Sequence, residues 1–160
     1  MLTLEGAQAG LSWRTVLAKR ENYRRVFHGF DAARVGAMDA GEVEAILGEA
    51  EGARAVIRHR GKVMSVIENA RAILNMRDKG IGLGEHLWGF VEGRPVTNRF
   101  RSRDEIPPQT EVSRGMSRDL KARGFRFVGP TTCYSLMQAS GMVNDHVIGC
   151  YRHAEVGTGG

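Results

Sequence analysis

The stretch LKARGFRFVGPTTCYSLMQAS, residues 120–140, combines glycines, hydroxyls and positive charge in an order that suits an anion. Gly124 and Gly129 bracket a tight turn between two helical patterns, and glycine lets backbone N–H groups approach a phosphate closely. Thr131 and Thr132 open the second helix, whose N-terminus carries unsatisfied N–H groups and the positive end of the helix dipole. Arg118, Lys121, Arg123 and Arg126 add cationic charge nearby. A turn of this kind can clamp a nucleic-acid backbone. The same residues also suit an ordinary helical connection in which Phe125, Phe127 and Val128 only pack the core.

A second group follows in NDHVIGC, which sets His146 and Cys150 four apart. On a helix that spacing puts both side chains on one face. Together they can supply two of the four ligands of a structural zinc. A capped histidine and a buried cysteine fit the same residues, because free cysteine is commonly core.

Both groups need helices to hold them, and the chain supplies little else. Ser12 is a natural N-cap for a helix carrying Trp13, Val16, Leu17, Tyr23 and Phe27. Gly29 ends it. Asp31 caps a short helix through Val35 and Met38, and Asp39 caps another with Val43, Ile46 and Leu47. After Gly61, the residues Val63, Val66, Ile67, Ala70 and Leu74 form a single apolar stripe at helical spacing. Gly80, Gly82 and Gly84 interrupt the pattern before a short aromatic helix of Leu87, Trp88, Phe90 and Val91. From Glu92 to Glu111 the prolines Pro95, Pro107 and Pro108, with Arg94, Arg99, Arg101 and Arg103, predict an ordered surface loop. Ser113 is the expected cap of a helix ending at Arg123, and a last helix runs from Thr131 to Ala139. The fold class read from this pattern is all-α. Residues 1–151 read as one helical domain, and 152–160, ending in GTGG, as a disordered tail.

Composition narrows the function classes. The chain has 160 residues, 42% of them hydrophobic, enough for one domain with a real core. No apolar run approaches the roughly 20 residues of a membrane span. Glu5 and the early glycines interrupt any signal-peptide core. Two cysteines cannot build a disulfide framework, so a reducing cytoplasm is the expected compartment. Lys and Arg outnumber Asp and Glu by 23 to 18, a net charge of +5 that admits a polyanionic partner without requiring one.

Taken in order, LEGAQAGLSWRTVLAKRENYRRVF, VIRHRGKVMSVIENARAIL, LWGFV, LKARGFRFVG and TTCYSLMQASGMVNDHVIGC resemble the bacterial DNA-3-methyladenine glycosylase I family. The resemblance runs from Leu4 to about Tyr151. It implies an all-α fold of the helix–hairpin–helix DNA glycosylase superfamily and excision of 3-methyladenine from alkylated double-stranded DNA. It also implies a structural rather than catalytic zinc, free 3-methyladenine as product, no membrane and no obligate protein partner.

Carried over by position, the resemblance makes Glu5 the catalytic and base-binding carboxylate, facing a cationic base. Trp13 becomes the stacking aromatic, whose indole face favours a cation by ~0.5–2 kcal/mol. Gly10 and Leu11, in the turn between them, would meet the gap left by a flipped base, with Leu11 as wedge. Arg123, Gly124, Arg126, Gly129, Thr131 and Thr132 become the DNA-binding hairpin, and His146 and Cys150 the zinc ligands. Asn144 stands where related enzymes carry an Asp, with Asp145 beside it. The hairpin and its second helix contain no lysine to act as a Schiff-base nucleophile, so a monofunctional glycosylase without strand cleavage is expected. In the family a further segment precedes LEG, supplying a Cys and a His to the zinc and aromatic residues to the pocket. With Met1 just before LEG, the expectation is a half-built zinc site, a metal-free chain and a mobile C-terminus after Cys150. The alternative reading is a shortened homologue that binds DNA but is catalytically impaired.

Overall fold

The computed structural model describes residues 1–49, 51–52 and 55–157. Its helices are α1 (Leu2–Gln8), α2 (Trp13–Ala18), α3 (Arg20–Val26), α4 (Ala32–Gly36), α5 (Ala40–Gly48) and α6 (Arg60–Asp78), then α7 (Leu83–Gly89), α8 (Glu111–Ala122), α9 (Pro130–Ala139) and α10 (Tyr151–Gly157). Short polar side chains set several starts. Ser12 accepts from the Thr15 N–H, Asp31 from that of Arg34, and Asp39 forms a capping box with Glu42.

Three boundaries differ from the sequence reading. The helix expected from Trp13 to Phe27 divides at Lys19 (φ −102°, ψ 4°) into α2 and α3. The cap of α8 is Thr110 rather than Ser113. Thr110 accepts the Ser113 N–H at 3.2 Å while the Ser113 hydroxyl accepts the Thr110 N–H at 2.9 Å, so Ser113 closes a capping box from inside the first turn. The tail expected from residue 152 is helical as far as Gly157. That helix is tied down where Asn144 Nδ2 donates to the His153 carbonyl and His153 Nε2 bonds the Asn98 carbonyl, at 2.9 and 2.8 Å. Residues 158–160 of the GTGG motif lie outside the described residues.

The 92–111 loop is ordered through a contact that no periodicity could announce. Within it, β1 (Val96–Thr97) pairs in parallel with β2 (Val143–Asn144), Val96 opposite Val143 and Thr97 opposite Asn144. Strands of two residues are too short to alternate.

The core has two clusters. Leu4, Val16, Tyr23, Phe27, Val35 and Ile46 build the first, and Leu87, Met116, Leu120, Phe125, Tyr134 and Met137 belong to the second. α6 serves both, giving Val63, Val66, Ile67 and Ala70 to one and Ala72 and Met76 to the other. Among the described residues, no helix is long and apolar enough to cross a membrane.

Candidate functional site

Glu5 lies on α1 among Leu4, Gly6 and Ala7, all buried, and is itself 2% exposed. Neither of its carboxylate oxygens has a hydrogen-bond partner among the described residues. Burial pushes its pKa from 4.5 to about 7, against an opposing pull from the N-terminal ammonium. An unpaired buried carboxylate is costly unless a ligand brings donors or positive charge to it.

The space in front of Glu5 is a cleft of about 420 Å³. Glu5 and Trp13 both line it, with Ser135, Gln138 and Ala139 of α9 and the run Val143 to His146 on other walls. That volume suits a small-molecule ligand. Trp13 is the first residue of α2, fixed there by the Ser12 cap, and packs partly against the first core cluster. A second cavity, about 280 Å³, is lined mainly by apolar side chains, with Thr3 and Asn69 as its polar side chains and no acidic or basic side chain.

Asn144 and Asp145 have different roles in the cleft wall. Asn144 is buried, its amide donating to the His153 carbonyl and its oxygen accepting the His146 N–H at 3.2 Å. Both ends of that amide are therefore engaged in holding the backbone. Asp145 accepts from Asn98 Nδ2 and from Gln138 Nε2, each at 2.7 Å. Burial, together with the nearby Asp145 carboxylate, pushes the Tyr134 phenol well above its ordinary pKa, and its hydroxyl has no well-formed hydrogen bond.

Between Glu5 and Trp13 the chain turns through Gly10 at φ 76°, a left-handed conformation suited to glycine. The turn is closed by the Leu11 N–H on the Gln8 carbonyl and by Gln8 Nε2 on the Leu11 carbonyl. Leu11 projects outward, 37% exposed. The sequence reading missed the group beneath this turn. Lys62 of α6, 8% exposed, donates to the Ala7 and Ala9 carbonyls at 2.8 and 2.7 Å.

The connection between α8 and α9 divides into buried apolar residues and exposed polar ones. Phe125 and Val128 are each 1% exposed and belong to the core, while Gly124 (φ 92°) and Arg126 lie at the surface. Gly129 is the N-cap of α9 and Pro130 its first residue. Thr131 is exposed and Thr132 half-buried in the first turn, where N–H groups have no intrahelical acceptor. The turn is held from inside by Asn69, also missed from sequence. Its Oδ1 accepts the Arg126 N–H at 2.7 Å and its Nδ2 donates to the Arg126 carbonyl at 3.1 Å. Ser117 Oγ donates to the Val128 carbonyl at 2.6 Å.

The four basic residues around the turn are not equivalent. Arg123 Nε bonds Asp119 at 2.8 Å, and His86 bonds the same carboxylate oxygen at 2.6 Å. Burial would raise the Asp119 carboxyl, but these two partners outweigh it and hold its pKa below the usual range. Arg126 is more exposed and pairs loosely with Glu68 at 3.3 Å. Arg118 and Lys121 are exposed and have no ion pair among the described residues.

His146 and Cys150 meet, though not on a helix. The segment is an irregular turn in which the Cys150 N–H bonds the Val147 carbonyl, and Cys150 Sγ lies 3.8 Å from His146 Nδ1. Two tetrahedral zinc ligands of these types stand roughly 3.6 Å apart, so the pair fits one edge of such a site. No third His, Cys, Asp or Glu joins them among the described residues. His153 has Nε2 engaged with Asn98.

The family model described as methyladenine glycosylase matches residues 1–153. The chain is 51% identical over 150 residues to the DNA-3-methyladenine glycosylase 1 of Escherichia coli, covering 94% of this chain and 78% of that protein. It is 43% identical over 149 residues to the DNA-3-methyladenine glycosylase of Haemophilus influenzae, covering 93% and 78%. A crystal structure of 3-methyladenine DNA glycosylase I superposes with a TM-score of 0.89 at 50% identity, over 94% of this chain and 80% of that one. A Staphylococcus aureus 3-methyladenine DNA glycosylase I, solved for the structural basis of 3-methyladenine recognition, superposes with a TM-score of 0.87 at 29% identity, over 94% and 78%.

Proposed function

The chain belongs to the methyladenine glycosylase family, and on that premise we propose that it hydrolyses the N-glycosidic bond of 3-methyladenine flipped out of alkylated DNA. The observation that carries this reading is the orphaned Glu5 carboxylate facing a cleft it shares with Trp13. A methylated adenine in DNA is cationic, which supplies the charge that Glu5 lacks and that the indole face of Trp13 attracts. As the C1′–N9 bond breaks, its electron pair leaves with the base, which departs as neutral 3-methyladenine. Water adds to the sugar carbon and loses its proton to solvent, leaving an abasic site. A charged base is already a good leaving group, so Glu5 acts by accepting hydrogen bonds and balancing charge rather than by donating a proton.

Access requires the nucleotide to leave the stack, at a cost of a few kcal/mol. Leu11 on its turn serves as the wedge, and α8, the glycine turn and α9 act as a helix–hairpin–helix clamp on phosphates. Arg126, Thr131 and Thr132 approach the backbone around Gly124 and Gly129, with Arg123 contributing less while Asp119 holds it. The double-stranded DNA partner matches the excess positive charge. The scarcity of cysteine supports a cytoplasmic setting. His146 and Cys150 would hold two positions of a structural zinc, whose contribution when bound is to fix the turn beside the cleft, with no part in bond cleavage.

The test is release of free base from methylated duplex DNA. Release of 3-methyladenine with the phosphodiester backbone intact is expected. Tight binding of alkylated DNA without release would replace this reading with that of a catalytically impaired binder.

A further inference from the structure

α6 carries three buried polar side chains that the cleft does not use, Lys62, Ser65 and Asn69, and Ser65 bonds only the Lys62 carbonyl within the same helix. Lys62 and Asn69 are each 8% exposed, and neither lines the cleft that holds Glu5. They are seven residues apart, so they share a helix face about 10 Å apart along the axis. Their partners lie in the two segments assigned above to DNA. Lys62 Nζ bonds the Ala7 and Ala9 carbonyls at the end of α1, immediately before Gly10 and Leu11. Asn69 bonds both the N–H and the carbonyl of Arg126, in the hairpin turn.

The two segments are open at their glycines, although Phe125 and Val128 anchor the hairpin in the core. A Cβ built on Gly10 or on Gly124 would meet nothing within 4 Å. The Lys62 bonds are charge-assisted and land on helix-end carbonyls that α1 itself leaves without partners. The Asn69 amide is used as donor and acceptor on one peptide, which fixes that peptide's orientation as well as its position. A helix interior is the stiffest ruler available to the chain.

We propose that Lys62 and Asn69 are positioning residues that hold the wedge turn and the hairpin at a fixed separation along α6, so that phosphate contact and insertion of Leu11 occur in register. This rests on the reading of the chain as a base-flipping glycosylase. Misplacing a positioning element by about 1 Å costs on the order of a hundredfold in rate, so a two-point tether is a strong lever on flipping. Lys62 governs the wedge and Asn69 the hairpin.

The experiment uses the full chain with Lys62→Met, Lys62→Arg, Lys62→Gln, Asn69→Leu and Asn69→Asp. Backbone hydrogen exchange is followed by mass spectrometry, alongside binding to an intact duplex and to one with an abasic gap. Lys62→Met removes both charge-assisted hydrogen bonds and should speed exchange across residues 9–12 by at least about tenfold. It should leave 124–129 unchanged and lose the preference for the gapped duplex, and Lys62→Arg should restore most of both. Asn69→Leu should do the reverse, loosening 124–129 and weakening both duplexes alike. If either variant loosens both segments together, or neither segment, the proposal is overturned. Should Lys62→Met or Asn69→Leu fail to fold, Lys62→Gln, which removes the charge, and Asn69→Asp must show the same crossed pattern in weaker form, and its absence there counts against the proposal equally. Failure of the glycosylase reading appears separately, as an unmodified chain that releases no 3-methyladenine, and the exchange pattern still decides the tether.

Discussion

A Cβ built on Gly6 would stand 3.2 Å from the Cβ of Phe127 and 3.5 Å from its carbonyl oxygen. The helix that carries Glu5 and the hairpin proposed to grip DNA are thus in contact through a missing side chain. Phe127 is already at φ 54°, an unusual conformation for a bulky residue, and has little freedom to retreat. Gly6→Ala should lower stability by about 1–3 kcal/mol through overpacking and should slow base release, because Glu5 is its neighbour. Thermal unfolding together with single-turnover base release checks this. A variant of unchanged stability and rate would show that the contact yields freely.

Glu5 makes stability depend on pH in an unusual direction for a carboxylate. Its folded pKa of about 7 stands above the ordinary 4.5, so the folded state keeps a proton that the unfolded state loses. Its contribution is fully present below pH 4.5, declines as pH rises through 7, and is absent above. The size is at most about 3 kcal/mol. Glu5→Gln should therefore be more stable than the unmodified chain at pH 8 and no more stable at pH 4, read from denaturant unfolding at both values. The same variant should release no 3-methyladenine at an appreciable rate.

Unequal partners of the basic residues predict unequal salt effects on DNA binding. Each phosphate neutralised contributes about 0.9 to the slope of log affinity against log salt. Arg118→Ala, Lys121→Ala and Arg126→Ala should each flatten that slope by close to this amount. Arg123→Ala should flatten it less, because Asp119 already holds the guanidinium. Salt titrations by fluorescence anisotropy distinguish the four, and equal effects would remove the distinction drawn between them.

Two donors hold zinc less firmly than a closed set of four. The chain should bind zinc weakly through His146 and Cys150, and Cys150→Ser should abolish that binding. Competition against a chromophoric chelator measures both. One tightly held zinc per chain, surviving Cys150→Ser, would place the metal elsewhere.

Side chains that act locally were legible in the sequence. Ser12, Asp31 and Asp39 cap the helices they precede, since a cap depends on residues within one turn. The resemblance singled out Glu5 and Trp13, and the two do line one cleft. What failed were boundaries decided by competition between neighbours, such as Thr110 against Ser113 for the start of α8. Four-residue spacing puts His146 and Cys150 on one face only if the segment is helical, whereas the two approach through an irregular turn, whose geometry spacing does not encode. The β1–β2 contact joins residues 47 apart in register and leaves no trace in local pattern. Lys62 and Asn69 were overlooked because each reads alone as an ordinary polar residue on an amphipathic helix. With Ser65 they form a polar line on a helix otherwise buried around most of its circumference, and that line was the available signal.

Because α6 gives one end to each core cluster, the molecule has no seam. A cut anywhere between Arg60 and Asp78 would leave two pieces, each missing a wall of its own interior, and neither should assemble without the other. A cut in the exposed 92–95 stretch leaves α6 intact but strands the second cluster's helices from the surface they fold against. Fragments made there should recover structure only on mixing, with α6 as the meeting surface. Exchange of genetic segments between relatives should likewise succeed when crossovers fall in surface loops and carry α6 whole, and fail when they divide it.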